Sequence, residues 1–295
     1  MCPPTGHVYK GAVLLRSLLY VPASSDRFIA KAHQRGADAI ILDLEDAVAP
    51  AEKAAARARL GESVPAVGRS GAAVFVRINA AFGLLKLDAE AACRAGAFGL
   101  FVPKAREPRM LQELADMLER TERAMHRAAT VLVPMIEDAA AVLDARALAN
   151  ATPRIFALIT GSEDLATSMH AEPTPEFLKF PKLLVHLAAK AAGKNSFGML
   201  RSVADYKAAH EIEQSAREAR AFGFDGATCV HPSVVPILNR AFSPTEQELA
   251  HARRLIAAAE AAQARGEGAF AFEGRMVDEP VVARARALIE RSRLG

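Results

Sequence analysis

The chain has 295 residues, 51% of them hydrophobic and 24% charged, with a formal net charge of +3. That length and apolar content suit one large closed core with a tail. Basic residues are interleaved with acids, as at Arg217, Glu218 and Arg220, and no basic stripe with intercalating aromatics appears, which argues against a nucleic-acid partner.

Residues 1–11 contain Pro3, Pro4 and Gly6 and read as a loose arm without a signal peptide. No run approaches the roughly 18 apolar residues of a membrane span, and Arg16 and Ser17 interrupt the first long one. Cys2, Cys93 and Cys229 are odd in number and share no metal-like spacing, so the expected compartment is the reducing cytoplasm.

Apolar runs recur at 14–21, 39–44, 72–78, 98–102, 130–136, 154–159, 196–200 and 227–230. Between them lie stretches rich in Ala, Leu, Arg and Glu, long enough for crossover helices. Strict alternation predicts a parallel sheet with helices outside it. Eight such units predict a (β/α)8 TIM barrel over residues 12–240, with a C-terminal helical extension and lid over 241–295. In such a barrel the active site is built from the C-terminal strand ends.

Polar clusters sit at those ends. The second run closes on Asp43, Leu44, Glu45 and Asp46. Carboxylates so close repel one another unless cations, N–H groups or water compensate. They form either a solvated strand end with a helix cap or the surroundings of a cation. In the third run, alternation places Phe75 and Arg77 on one face, with Arg77 near the rim. An inward guanidinium needs an anion, either a substrate carboxylate gripped by its planar fork or an acid such as Glu45. Lys104 ends the fourth run. It can hold a phosphate or carboxylate, pair with Glu45 or Asp46, or form a Schiff base.

The fifth run ends on Glu137, and the sixth continues into Gly161, Ser162, Glu163 and Asp164. Adjacent strands thus deliver carboxylates to one end. Hard oxygen ligands without histidine or cysteine suit magnesium, or manganese, better than zinc; helix capping is the alternative. In the tail, Ser243, Pro244 and Thr245 precede Glu246 and Glu248 and start a helix over 249–264. Gly266 and Gly268 then form a hinge before Phe270, Phe272, Met276 and Val277. Such an apolar segment needs a cover. That cover is a neighbouring subunit, the active-site mouth, or the chain's own barrel.

Ordered segments now become informative: RSLLYVPASSDRFIAKAHQRGADAIILDLEDAV at 16–48, VFVRIN at 74–79, FVPKA at 101–105, PMIED at 134–138 and GSEDLATSM at 161–169. GFDGATCVHPSVVPILNRAFSPTEQE at 223–248 and EGRMVDEPVVARA at 273–285 complete the set. In this combination the chain resembles the citrate lyase beta-subunit type, the CitE-like CoA-ester lyases of the HpcH/HpaI aldolase superfamily. Its tail looks more like that of the freestanding malyl-CoA and citramalyl-CoA lyases.

The resemblance implies that Glu137 and Asp164 bind Mg2+, that Glu45 and Asp46 support that site, and that Arg77 holds the acid portion of the substrate. It implies that Arg16 and Lys104 line the substrate and CoA mouth. Asp278, within MVDEP, is implied to transfer a proton from a lid that often reaches a neighbouring subunit. The implied ligands are a CoA thioester and a 2-oxo acid, and the implied assembly is a homotrimer or hexamer. The expected activity is Mg2+-dependent carbon–carbon cleavage or formation of a β-hydroxyacyl-CoA. A malyl-CoA thioesterase of the same fold and a non-catalytic scaffold are the competing readings.

Overall fold

The computed structural model describes residues 14–204 and 206–293; the expected arm over 1–11 lies outside the described residues. Among these, one parallel sheet contains β1 (Ser17–Pro22), β2 (Ala39–Asp43), β3 (Ala73–Arg77), β4 (Gly99–Val102), β5 (Val131–Ile136), β6 (Ala157–Thr160), β7 (Asn195–Phe197) and β8 (Ala227–Cys229). Neighbours follow chain order, and β8 returns beside β1, with Leu18 opposite Thr228. A bridge between Phe197 and Gly226, and the bond from the Gly198 N–H to the Gly226 carbonyl (2.9 Å), bring β7 against β8. The sheet therefore curls into a (β/α)8 barrel whose C-terminal strand ends share one rim.

Alternation along each strand sorts two apolar layers. Leu19, Val21, Ile40, Leu42, Val74 and Val76 pack outward in the core beneath the helices. Leu18, Ile41, Phe75, Phe101, Val133 and Met135 belong to the inner cluster. Burial on both faces explains why the strands read as nearly continuous apolar runs. The same alternation carries Tyr20, Asp43 and Arg77 to the inner rim. Asp43 stands opposite Arg77 in the β2–β3 register.

The seventh run ends earlier than expected, at Phe197, because Gly198 turns through φ +147°, a conformation open to glycine. Beyond it, the carbonyls of Met199 and Arg201 accept hydrogen bonds from Lys182 Nζ (2.7 and 2.8 Å). Lys182 belongs to the Pro175–Ala191 helix.

In the tail, Thr245 and Glu248 cap the Glu246–Ala264 helix reciprocally, satisfying free N–H groups of its first turn. An antiparallel hairpin follows, β9 (Phe270–Phe272) and β10 (Arg275–Val277), and then the Glu279–Ser292 helix. Leu255, Val277 and Val282 form a small core of their own within this extension. Both ends of the helical pair touch the N-terminal side of the barrel: Arg220 pairs with Glu248 (3.0 Å), and Arg291 Nη2 donates to the Asp225 carbonyl (2.7 Å). No described helix is long and apolar enough to cross a membrane.

Candidate active site

A cleft of about 400 Å3 opens at the C-terminal rim, bordered by Tyr20, Asp43, Asp46, Arg77, Glu137, Asp164 and Lys182 among others. Asp43 organises one wall. Its carboxylate accepts the backbone N–H groups of Glu45 (2.9 Å) and Ala47 (3.1 Å) and receives Arg77 Nε (2.7 Å) and Nη2 (2.6 Å). The bidentate fork of Arg77 is thus spent on Asp43. Its remaining Nη1 lies 3.1 Å from Glu45 and 3.0 Å from the exposed Asp46. Arg77 therefore makes the internal ion pair with Glu45 that sequence left as one alternative. The Arg77 guanidinium also sits over the Tyr20 ring at 5.0 Å. Burial disfavours its charge, but hydrogen bonding to Asp43 and the surrounding anions hold its pKa raised.

Behind this wall runs a fixed polar support. Lys53 Nζ donates to the Leu44 and Glu45 carbonyls (3.0 and 2.7 Å) and to Asn79 Oδ1 (2.5 Å). Asn79 in turn donates to Asp88, which Arg57 pairs (2.9 Å). These bonds set the path of the chain through Glu45. Burial pushes the Glu45 carboxyl up to about 7 against the opposing charge of Arg77.

Glu137 stands on the other wall, 4% exposed. It accepts the Lys104 N–H (2.7 Å), and Lys104 adopts φ +51° to present it. Burial pushes the Glu137 carboxyl up to about 8; the Lys104 hydrogen bond opposes this, while Asp164 and Glu45 reinforce it. Gly161 makes room for it, because a Cβ there would lie 2.5 Å from Glu137 Oε1. Asp164 follows in the first turn of the Ser162–Ser168 helix. Lys104 Nζ spans the walls at 3.9 Å from both Glu45 and Asp164, too far for hydrogen bonds.

The donor set fits a hard divalent cation. No cluster of three or more His, Cys, Asp or Glu able to hold a metal occurs among the described residues. Magnesium, however, commonly takes one or two protein carboxylates and completes its shell with water and substrate oxygens. A buried carboxyl at about 8 with another acid beside it is the electrostatic condition that a dication relieves.

One sequence expectation changes. Arg16 is not at the mouth. It precedes β1 at the opposite end of the barrel, donates through Nε and Nη2 to both oxygens of Asp38 (2.8 Å each), and reaches Ser243 (3.0 Å). Its planar fork is consumed by an acid that begins a strand, so it lines no part of this cleft. Asp278 caps the Glu279–Ser292 helix without a side-chain capping bond, and it is not among the described residues that border the cleft of its own chain.

Tyr20 and Lys182 were not singled out from sequence, and Asp43 was read only as one of three strand-end carboxylates, without its hold on Arg77. The β2–β3 register points to Asp43 once Arg77 is known to face inward. Tyr20 follows from the same alternation in β1. Lys182 carries no comparable signal: it sits within a helical stretch, yet its amine is buried and pushed down to about 7 by that burial.

Over 286 residues the chain is 32% identical to citrate lyase subunit beta of Leuconostoc mesenteroides subsp. cremoris, with 94% of this chain and 93% of that protein covered. It is also 32% identical to (3S)-malyl-CoA thioesterase of Cereibacter sphaeroides, covering 94% of each. The solved structure of CitE from Mycobacterium tuberculosis, in complex with magnesium, acetoacetate and coenzyme A, superposes with a TM-score of 0.79 at 31% identity, covering 95% of this chain and 98% of that one. Residues 16–232, from β1 through the end of β8 and with every rim acid described above, match a single family, and the chain belongs to it: the HpcH/HpaI aldolase/citrate lyase family.

Proposed function

We propose that this protein is a Mg2+-dependent carbon–carbon lyase. It would cleave, or form, a β-hydroxyacyl-CoA such as malyl-CoA or citramalyl-CoA, giving a 2-oxo acid and an acyl-CoA. The observation that carries this reading is the buried Glu137 with Asp164 beside it in a cleft that also presents Arg77. Glu137 and Asp164 would hold the magnesium, with Glu45 and Asp46 supporting it. When bound, the cation polarises the oxo oxygen and neutralises the adjoining carboxylate.

Arg77 orients the acid end of the substrate. Its contact with Asp46, whose side chain is 65% exposed, costs little to exchange for a substrate carboxylate, while Asp43 keeps the guanidinium in place. Beside the acid cleft lies a second one bordered by Arg27, Arg35 and His231, suited to the anionic end of CoA, with Lys104 at the rim between acids. Asp278 supplies or accepts the proton. Because it lies off the cleft of its own chain, it is assigned to a neighbour's site; the family resemblance implies that the assembly is a homotrimer or a multiple of it. Met276, 78% exposed on the hairpin that precedes Asp278, gives that contact an apolar anchor. Free, buried Cys93 and Cys229 support a cytoplasmic setting.

Hydrolysis of malyl-CoA is the second reading, favoured by the 32% identical thioesterase. One experiment separates the two: purified protein and Mg2+ with a panel of malyl-, citramalyl- and related CoA esters. A lyase releases oxo acid and acyl-CoA; a thioesterase releases free hydroxy acid and CoA. In the same assay Asp278→Asn and Arg77→Ala should each be nearly inactive, and mixed oligomers should regain activity. Failure to complement in demonstrated mixed oligomers removes Asp278 from the neighbour's site.

A further inference from the structure

We infer that Tyr20 is a catalytic residue, donating its phenolic O–H to the thioester oxygen as that oxygen gains enolate charge. The inference rests on the lyase reading above and concerns a group that reading leaves without a role.

Two cavities share part of their lining at β1 and just after β8. One carries the acids with Arg77 and Lys182; the other carries Arg27, Arg35 and His231. The residues that border both are Tyr20, Pro22 and Val230. A CoA ester is itself bipartite, with a polyanionic carrier at one end and an oxygen-rich acid at the other, joined through a single thioester. A ligand filling both cavities places that junction at the shared neck. Of the three residues there, Tyr20 alone has a side-chain hydrogen-bond donor.

The phenol is also held still and kept protonated. Its ring lies beneath the Arg77 guanidinium at 5.0 Å and meets Phe101 edge-on at 6.2 Å. Burial raises its pKa; the Arg77 charge opposes this, while Asp43, Glu137 and Glu45 add to it. A neutral donor is what the neck requires, since the walls around it are already rich in carboxylates. An oriented donor aimed where charge develops acts without reorganisation at the moment of reaction.

The step balances without a further reagent. The substrate hydroxyl gives its proton to the base, and its O–H electron pair becomes the new C=O bond of the oxo acid. The C–C bond breaks, its pair forms the C=C of the thioester enolate, and the carbonyl π pair moves onto the oxygen facing Tyr20. Protonation at carbon then gives the acyl-CoA. Tyr20 keeps its proton throughout.

Tyr20→Phe retains the ring and its stacking and deletes only the donor. Expected are a kcat lower by about 10²-fold, the range for losing one oxyanion donor, an unchanged KM for the CoA ester, unchanged Mg2+ affinity and an unchanged melting temperature. The solvent-deuterium exchange rate at the α-carbon of the acyl-CoA product, which reports enolate formation alone, should fall in parallel. Replacing Tyr20 by fluorotyrosine should alter kcat in step with phenol acidity while leaving packing intact, and it serves if the phenylalanine protein does not fold. A kcat within threefold of the parent, or a loss confined to KM, overturns the assignment to Tyr20. If the parent protein cleaves no ester of the panel, it is the lyase reading that has failed.

Discussion

Two buried glutamates at opposite ends of the barrel, Glu122 and Glu137, are held in opposite ways. At the N-terminal end Glu122 and Asp38 are matched by arginines. Arg154 donates to both oxygens of Glu122 (2.9 and 2.7 Å), which also accepts the Thr130 N–H (2.6 Å), and Arg16 grips Asp38 in the same manner. At the mouth, no arginine or lysine side chain pairs with Glu137 among the described residues. Its carboxyl is pushed up to about 8, and that of Glu45 to about 7. Depth of burial is similar: Glu122 is 5% exposed and Glu137 is 4% exposed. Satisfaction, rather than burial, separates a brace from a site, because perturbed acids in a cleft mark groups held for a ligand.

The largest expected effect tests the mouth. Glu137→Gln keeps an acceptor for the Lys104 N–H and removes the charge, and Asp164→Ala removes the second carboxylate. Each should lower turnover on the order of 10³-fold, the equivalent of roughly 4 kcal/mol of lost charge stabilisation. Calorimetric Mg2+ affinity should collapse in both. The melting temperature of Glu137→Gln should hold at neutral pH, where a carboxyl that titrates at about 8 is mostly protonated, and should exceed the parent's above that pH, where a buried, unpaired charge has gone. Intact Mg2+ binding with a lowered melting temperature would class Glu137 with the braces.

A comparably strong effect, of opposite kind, belongs to the other end. Arg154→Met leaves Glu122 buried without its partner, which should cost about 3 to 5 kcal/mol in urea unfolding, with kcat of the folded protein unchanged. A loss below about 1 kcal/mol, or a fall in kcat at full stability, would erase the contrast between the two ends.

The contrast also shows which parts of the molecule were legible in sequence. Period-two alternation and helix-length spacers are local, so the eight strands, the barrel and the inward face shared by Phe75 and Arg77 could be read directly. The Thr245 and Glu248 helix start is local as well, and it was read from its residue types. Arg16 misled because a strand has two ends and an arginine beside an apolar run looks the same at either; only its partner, Asp38, fixes the side. Asp43 was read as a strand-end acid, but its hold on Arg77 was missed because that is a register fact, the pairing of β2 with β3. Lys182 joins the cleft through a helix packed across a glycine-terminated strand, a contact without trace in spacing. The hairpin β9–β10 was read as a hinge and an apolar segment, since three-residue strands are too short to show alternation.

The smallest expected effect is a pH dependence that ties the two halves of the mouth together. A cation needs its carboxylates ionised, so Mg2+ affinity should rise with pH, about tenfold per unit while one proton must leave, and level off above the Glu137 value of about 8. Calorimetry in buffers of different ionisation heat should register that proton. Stability of the metal-free protein should run the other way. Glu137 titrates higher in the folded chain than its ordinary value of 4.5, so between those limits the folded state binds more protons than the unfolded one. Stability must then fall as pH climbs through that window, and Glu45, raised to about 7, adds to the slope over its lower part. Saturating Mg2+ should flatten the slope, and Glu137→Gln should remove most of it without any metal. A metal-free melting temperature that stays level from pH 5 to 8 would mean that the mouth carries its acids as comfortably as the far end carries Glu122. The mouth would then lose its standing as a site held open for a cation.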